Sequence, residues 1–600
     1  MSSEQDIYIL GLSFDYHDAA AALIKNGKVV AAVQEERFTR DKQDSSLPAH
    51  SIKYCLDFAG ITSDQLSYVV FYEKPFIKFE RLLKTYISTW PLGFLSFLKA
   101  MLVFLKTKLW VESRIRKALD GYKGSILFTQ HHYSHAASAY FCSGFSEAIV
   151  VTMDGVGEFD TTTFGYGKGN KLNLSHTLEF PHSLGLFYSA LTYYLGFKVN
   201  SAEYKVMGLA PYGDPNKYYD TFKELVEIRD DGSVKLNMKY FSYEYGLRMT
   251  NRRFDKLFGG PARQPESPLT QREKDIAAAL QKITNEIVLK IIAQARTLYP
   301  YKNLCLAGGV ALNCVTNGKI LEKKWFDNIY IQPAAGDAGG AVGAALYVYF
   351  DRLNKNYPLP EGSTMETVYL GPEYSESELE KFLEEDVKAI IGEDKKLVYK
   401  RLEYNDLIDQ VSNLINGNNV IGWFQGRMEY GPRSLGNRSI IADARNKENW
   451  QKVNLKIKFR ESFRPFAPTV LEDKSAECFD LTVPSPYMLL VAPVKRTDVP
   501  AITHVDNSAR VQTVNPEQNK KYYDLIEAFY KKTGCPIIIN TSFNVRGEPI
   551  VMSPQDAFNT FLHTFMDYLV MGNYIISKQD NQQLVDKEKM NKYLGKFKLD

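Results

Sequence analysis

Cysteine is scarce and scattered in this 600-residue chain: its six thiols, Cys55, Cys142, Cys305, Cys314, Cys478 and Cys535, include no CxxC pair. That spacing speaks against a disulfide framework and a zinc ribbon, and points to a reducing compartment. Net charge is nearly missing as well, +3 from 73 basic and 70 acidic residues, so bulk nucleic-acid binding is not expected. The start, Met1-Ser2-Ser3-Glu4-Gln5-Asp6, is acidic and runs straight into a strand, without the pattern of a signal peptide. Long hydrophobic runs are absent except from Leu92 to Trp110, which Lys99 interrupts and Lys106 and Lys108 close. This argues against a spanning helix and predicts an amphipathic helix laid on its own domain. The expectation is a cytoplasmic protein with neither nucleic acid nor membrane as partner.

What is present suggests two or more domains. Six hundred residues exceed what one core supports, and 45% hydrophobic with 13% aromatic residues fill more than one. An internal repeat marks the first half. Ile7–Ser13 reads as a strand, Phe14–Asp18 as a polar turn, Ala19–Ile24 as a second strand, Asn26-Gly27 as a hairpin and Lys28–Gln34 as a third strand. The order recurs in Ala148–Met153, the turn Asp154–Glu158, Thr161–Gly165, Gly169-Asn170 and Leu172–Leu178. Two such meanders suggest a duplicated α/β fold closing on a ligand, as in sugar kinases, actin and the heat-shock ATPases. Residues 352–366, with Pro358, Pro360 and Gly362, read as a linker to a second unit with its own strands.

Three of the nine histidines lie in His131-His132-Tyr133-Ser134-His135. Four residues apart on a helix, His131 and His135 share a face and can aim two imidazoles at one ion. Asp154, ending an apolar strand, and Asp337, opening a glycine-rich turn, are candidate carboxylate ligands. Two imidazoles and two carboxylates suit Fe(II), Zn(II) or Mn(II) better than Mg(II) or Ca(II). Taken singly, either aspartate also reads as a turn or helix cap.

Nucleotide-binding signals lie nearby. Gly155 and Gly157 free the amides of a turn to face an anion, and Gly308-Gly309-Val310-Ala311-Leu312-Asn313 joins a strand to a helix. Gly336 precedes Asp337, and Glu203 and Lys205 offer an acid and a base before a small-residue turn. The C-terminal half is richer in cations. Arg427, Arg433 and Arg438 lie in one Gly/Pro-rich loop, Lys456, Lys458 and Arg460 alternate with apolar residues as on one face of a strand, and Arg510, Asn544 and Arg546 follow. Guanidinium forks and an amide make an oxyanion pocket for a small phosphorylated substrate.

Together, His131-xxx-His135, Asp154-Gly155-Val156-Gly157-Glu158, Lys205-Val206-Met207-Gly208-Leu209-Ala210, Gly308–Asn313, Gly336-Asp337, Gly426–Arg433, Phe463–Pro468 and Thr541-Ser542-Phe543-Asn544 resemble the O-carbamoyltransferases of nodulation-factor, cephamycin, ansamycin and aminoglycoside biosynthesis, in order and over nearly the whole chain. The resemblance implies an α/β fold. Residues 1–351 would form a duplicated actin-like ATPase domain akin to the tRNA threonylcarbamoyl-transfer enzymes, 352–366 a linker, and 367–600 a smaller α+β YrdC-like domain. It also implies the reaction: carbamoyl phosphate and ATP, with Mg(II), give a carbamoyl adenylate whose carbamoyl group passes to a hydroxyl of a small natural product. Fe(II) would sit on His131, His135, Asp154 and Asp337. Gly155, Gly157, Glu203, Gly308, Gly309, Asn313 and Gly336 would hold the nucleotide. Arg433, Lys458, Arg460, Arg510, Asn544 and Arg546 would hold carbamoyl phosphate, with the choice among Lys456, Lys458 and Arg460 open.

His17, in the first repeat's turn, is the candidate general base for the acceptor hydroxyl, with Lys205 as a second catalytic residue. A hydrogenase-maturation carbamoyltransferase should carry zinc-finger cysteines and an acylphosphatase domain; a tRNA-modifying enzyme fits the weak charge poorly. A non-catalytic nucleotide-sensing module leaves the C-terminal cations without purpose. The segments Phe76–Gly121 and Tyr240–Ser267 serve either an acceptor pocket or a homodimer contact.

Overall fold

The computed structural model describes residues 6–360, 362–461 and 463–597. Two compact units divide the chain, one ending at Glu36 and resuming from Gln43 to Glu366, the other formed by Arg37–Lys42 with the chain from Thr367 onward. The stretch read as a linker belongs to the first unit. Tyr357 is buried there and donates to the Tyr140 carbonyl, and Lys28 pairs with Glu366.

The first unit is built twice. Strands β1 (Tyr8–Ser13), β2 (Ala20–Lys25), β3 (Lys28–Gln34), β4 (Tyr68–Phe71) and β5 (Ser125–Phe128) form a sheet in the order β3-β2-β1-β4-β5. Strands β6 (Glu147–Met153), β7 (Asp160–Lys168), β8 (Lys171–Glu179), β11 (Asn303–Ala307) and β12 (Asn328–Ile331) form another in the order β12-β11-β6-β7-β8; β9 (Val226–Ile228) and β10 (Val234–Leu236) make a separate ribbon. Read from its other edge, the second sheet repeats the first strand for strand. Each has an antiparallel three-strand meander followed by two parallel strands. Local chemistry explains the first meander: Asn26 and Gly27 both adopt positive φ, 50° and 86°, which a tight hairpin with the right twist requires. The strands are aliphatic on both faces, and the meander is buried accordingly.

In each half a helix follows the fifth strand: His131–Ser143 after β5, and Asp337–Tyr347 after β12. These helices pack on each other at close range because Gly343 has no side chain. A Cβ there would overlap the Ser134 carbonyl oxygen. Gly11 on β1 similarly admits the Ala341 carbonyl.

The second unit holds one nine-stranded mixed sheet of β13 (Lys400–Arg401), β14 (Ile421–Phe424), β15 (Arg438–Asp443), β16 (Ala467–Leu471), β17 (Leu490–Pro493), β18 (Ser508–Val514), β19 (Ile537–Ser542), β20 (Tyr568–Met571) and β21 (Tyr574–Ser577). Its order is β13-β21-β20-β14-β15-β19-β16-β18-β17, with β14–β20 and β16–β18 parallel. Helices Tyr404–Asn416 and Pro516–Thr533 pack together, and Trp423, Tyr522 and Tyr574 are fully buried.

Candidate metal centre

The four sequence-predicted ligands converge in the first unit. His131, His135, Asp154 and Asp337 each offer one atom, and these atoms all lie within 4.8 Å of one another. His131 Nε2 is 3.0 Å from Asp154 Oδ2 and 3.0 Å from His135 Nε2, which is 3.5 Å from Asp337 Oδ1. The duplication explains the convergence. The helix after β5 supplies both histidines, the equivalent helix after β12 supplies Asp337, and the β6–β7 turn supplies Asp154. Its counterpart, the β1–β2 turn, supplies His17, whose Nε2 is 3.9 Å from Asp337 Oδ2.

A dication fits this donor set. Two buried imidazoles with nitrogens 3.0 Å apart, aimed at buried Asp337 and half-buried Asp154, form a half-satisfied cluster that a positive ion would complete. Both Nδ1 atoms are buried with no hydrogen-bond partner among the described residues, so helix packing orients the rings. Gly309 N–H donates to Asp154 Oδ1 at 2.9 Å, and the Tyr72 hydroxyl reaches Asp337 Oδ2 at 3.4 Å. Glu158 accepts from the His131 and Lys74 amides, capping the histidine helix. Tyr72 and Glu158 were missed as site residues, Glu158 standing in a motif with no visible partner, and Gly309 was assigned to the nucleotide and not to Asp154. His132, facing away, bonds to Thr152 Oγ1 and the Asp160 carbonyl.

The electrostatics follow from the uncompensated carboxylates. Burial raises the Asp154 pKa, but hydrogen bonds from His131 and His135 outweigh it and hold the group well below its ordinary range. Asp337, opposed by burial and drawn down chiefly by His17, falls to about 2. Burial lowers His135 and His17, yet the two aspartates lift His135 to about 9, and Asp337 with Asp18 lifts His17 to about 10. His17 is therefore a base near neutrality only when a cation offsets those aspartates.

The predicted nucleotide residues divide. The Gly157 amide is taken by the Asp160 carbonyl, and a Cβ there would meet His131 at 2.9 Å. Its glycine serves close packing on His131, not a free amide. Gly308 likewise donates to the Ala335 carbonyl, and Gly309 orients Asp154. Asn313 caps its helix at Thr316 and pairs with Gln281. Gly155 and Gly336 stay uncrowded, with nothing closer than 4.0 Å to a Cβ. Glu203 accepts from Ser189 Oγ and the Asn200 amide, and burial raises its pKa while His17 lowers it. Lys205 is fully buried, its amine 5.8 Å from the Phe197 ring.

In the second unit, residues 452–457 are helical and not the strand considered above, and Phe459 has positive φ, 49°. Even spacing therefore does not put the cations on one face. Lys456 is exposed, whereas Lys458 is buried and donates to the Ser542 and Asn544 carbonyls, to Ser542 Oγ at 3.1 Å and to Asn544 Oδ1 at 2.5 Å. Burial, then the charges of Arg460 and Arg464, keep its pKa well below the usual lysine range. Arg546 N–H donates to the Lys458 carbonyl, its guanidinium is 3.5 Å from Glu461, and Arg460 bonds to Asn454 beside the Phe466 ring. Lys458, Arg460, Asn544 and Arg546 thus gather at the end of β19. Arg510 lies on β18, separated from β19 by β16, and Arg433 in the β14–β15 loop. The other two arginines of that loop are structural. Arg438 donates to the carbonyls of Gln425, Gly426 and Pro372, and Arg427 to those of Leu370 and Gly371.

A duplicated α/β unit in which two histidines and two aspartates that could hold a metal ion converge, followed by a mixed-sheet unit with a cationic loop cluster, defines a two-part class of enzyme. Residues 8–346 match the family model described as carbamoyltransferase N-terminus, and residues 412–578 match carbamoyltransferase C-terminus. The chain belongs to the carbamoyltransferase family and is a carbamoyltransferase. An uncharacterized protein of Synechocystis is 50% identical over 99% of this chain and 100% of its own length. Nodulation protein NolNO of Sinorhizobium fredii is 38% identical over 94% of this chain and 79% of its own. Among solved structures, the (R)-2-hydroxyglutaryl-CoA dehydratase component A of Acidaminococcus fermentans aligns at 14% identity and a TM-score of 0.32, over 58% of this chain and 100% of that one.

Proposed function

We propose that this chain is an ATP-dependent O-carbamoyltransferase that makes a carbamoyl adenylate from carbamoyl phosphate and ATP and passes its carbamoyl group to a hydroxyl of a small natural product. The single observation that carries the reading is the convergence of His131, His135, Asp154 and Asp337 in a chain whose two parts match the two carbamoyltransferase models. Nitrogen donation into the carbonyl makes a carbamoyl group a poor electrophile, and AMP on a mixed anhydride supplies the leaving group an alcohol needs. Carbamoyl phosphate consumes one water and gives phosphate and carbamate; a carbamate oxygen attacks the α-phosphorus, and pyrophosphate leaves. The acceptor oxygen then attacks the carbonyl, AMP leaves, and the acceptor proton goes to a base.

Lys458, Arg460, Asn544 and Arg546 are the proposed oxyanion groups for carbamoyl phosphate, with Arg433 and Arg510 assigned to the same substrate. They act by position and charge. The first unit is read as an actin-like ATPase fold that takes ATP, and the second as YrdC-like. Fe(II) is the metal assigned to the four ligands, and it would supply Lewis-acid stabilisation of anionic oxygen. His17 Nε2, beside Asp337, takes the acceptor proton once the aspartates are compensated, and buried Lys205 is the second catalytic group.

The test measures pyrophosphate release by metal-loaded protein with ATP, carbamoyl phosphate or both, and carbamoylation of a panel of hydroxylated compounds by mass spectrometry. Release only with both substrates supports the adenylate. Release with ATP alone, or none under any combination, overturns it.

A further inference from the structure

The helix Phe94–Lys106 was expected to lie on its own domain, and only one side of it does. Ser96 Oγ donates to the Tyr245 carbonyl, Phe97 stacks on Tyr86 at 4.0 Å, and Phe104 is buried against Phe79. At about 100° per residue, Phe94, Leu105, Leu98, Leu102 and Leu95 share one arc on the other side, bordered by Lys106 and Lys99. That arc faces outward: Leu95 is 70% exposed, Leu102 50% and Leu98 45%. Trp90, before the helix, and Trp110, after it, are 64% and 58% exposed. Large apolar side chains exposed together along one helix face are uncommon on a monomer and mark an interaction surface.

We propose that this face docks on an anionic lipid bilayer, lying in its surface without crossing it. No helix among the described residues is long and apolar enough to span. Charge decides the occupant. From Arg81 to Val111 there is no Asp or Glu, while Lys99 and Lys106 are exposed at the edge of the apolar arc. A second copy would bring the same lysines to a helix that itself carries no acid to receive them, as a self-complementary contact of this helix would need. An anionic headgroup layer receives both lysines, the acyl boundary takes the leucines, and tryptophan at either end is suited to the headgroup level. The inference is independent of the carbamoyl chemistry, since none of these residues is among those proposed for the metal, the nucleotide or carbamoyl phosphate.

Full-length protein is sedimented with vesicles of phosphatidylcholine alone and of phosphatidylcholine with phosphatidylglycerol, alongside the double variant Leu98→Glu, Leu102→Glu. Both side chains are about half exposed and lie away from the packed side of the helix, so the variant retains its fold, checked by its melting temperature and metal content. The protein pellets with anionic vesicles, more weakly at high salt, its tryptophan emission shifts to the blue, and the variant partitions at least about tenfold less, the factor one lost buried leucine gives. Equal sedimentation of variant and parent overturns the proposal, as does no binding to anionic vesicles. A dimer in light scattering that the variant dissolves, without vesicle binding, assigns the face to a second copy and also overturns it.

Discussion

Substituting Gly343 by alanine tests whether helix spacing builds the metal centre. A Cβ at this position overlaps the Ser134 carbonyl oxygen and stands 2.7 Å from the Ser138 amide, both backbone atoms of the helix that carries His131 and His135. Ordinary contact distances of about 3.5 Å require the two helices to separate by more than about 1 Å. Metal–ligand distances tolerate only about ±0.2 Å. Asp337 on one helix and the histidines on the other then no longer share an ion, although every ligand remains in the chain. Overpacking costs about 1–3 kcal/mol, a fall of several degrees in melting temperature, so the protein still folds. The assay is metal content by plasma mass spectrometry after Fe(II) loading, with thermal unfolding in parallel. Gly336→Ala, where a Cβ meets nothing within 4 Å, keeps its metal. One equivalent of metal bound to Gly343→Ala with unchanged affinity refutes the reasoning.

Other outcomes follow from the same geometry. His135→Ala loses the metal while the second unit's thermal transition stays in place; full metal content in this variant removes His135 from the site. Lys458→Met leaves the carbonyls of Ser542 and Asn544 without their shared donor, costs about 1–3 kcal/mol and abolishes carbamoyl-phosphate-dependent pyrophosphate release, with metal content as the unaffected control. Arg40→Ala takes the paired guanidinium from Glu548, a buried carboxylate that also accepts from the Val545 amide and the Tyr593 hydroxyl, and lowers stability by about 3 kcal/mol in denaturant unfolding. Glu73 is buried, which opposes its ionisation, but Lys78 at 2.6 Å and Lys108 at 3.5 Å bring its pKa to about 2. Its folded pKa is depressed, so its contribution is complete above the ordinary value of 4.5 and is lost as pH falls toward 2. Glu73→Gln should flatten the fall in melting temperature over that window, and an unchanged slope contradicts the pairing.

Much of the first unit is legible in the sequence because its signals are local. Hairpin residues such as Asn26-Gly27, aliphatic strand runs and the Asp154 turn recur at matching places, and two histidines four apart on a helix face one way in any setting. The cation set of the second unit was less legible. Alternation from Lys456 to Arg460 is compatible with a strand, but buried Val453 and Ile457 hold a helical turn there, and burial alone separates Lys458 from Lys456. Gly157 and Gly308 read as anion-binding glycines, since sequence shows a missing side chain and not whether the amide already has a partner.

The sequence by itself determined the duplicated meanders, the four candidate ligands and their places in turns and helix starts, because period, turn chemistry and residue identity are properties of short stretches. Only the tertiary structure decided that those ligands meet, that Glu158 and Gly309 hold them, and that the arc from Phe94 to Leu105 faces outward. Each depends on elements up to two hundred residues apart approaching to van der Waals distance. The absent side chain of Gly343 sets that approach for the metal centre, and it acquires meaning only once Ser134 lies against it.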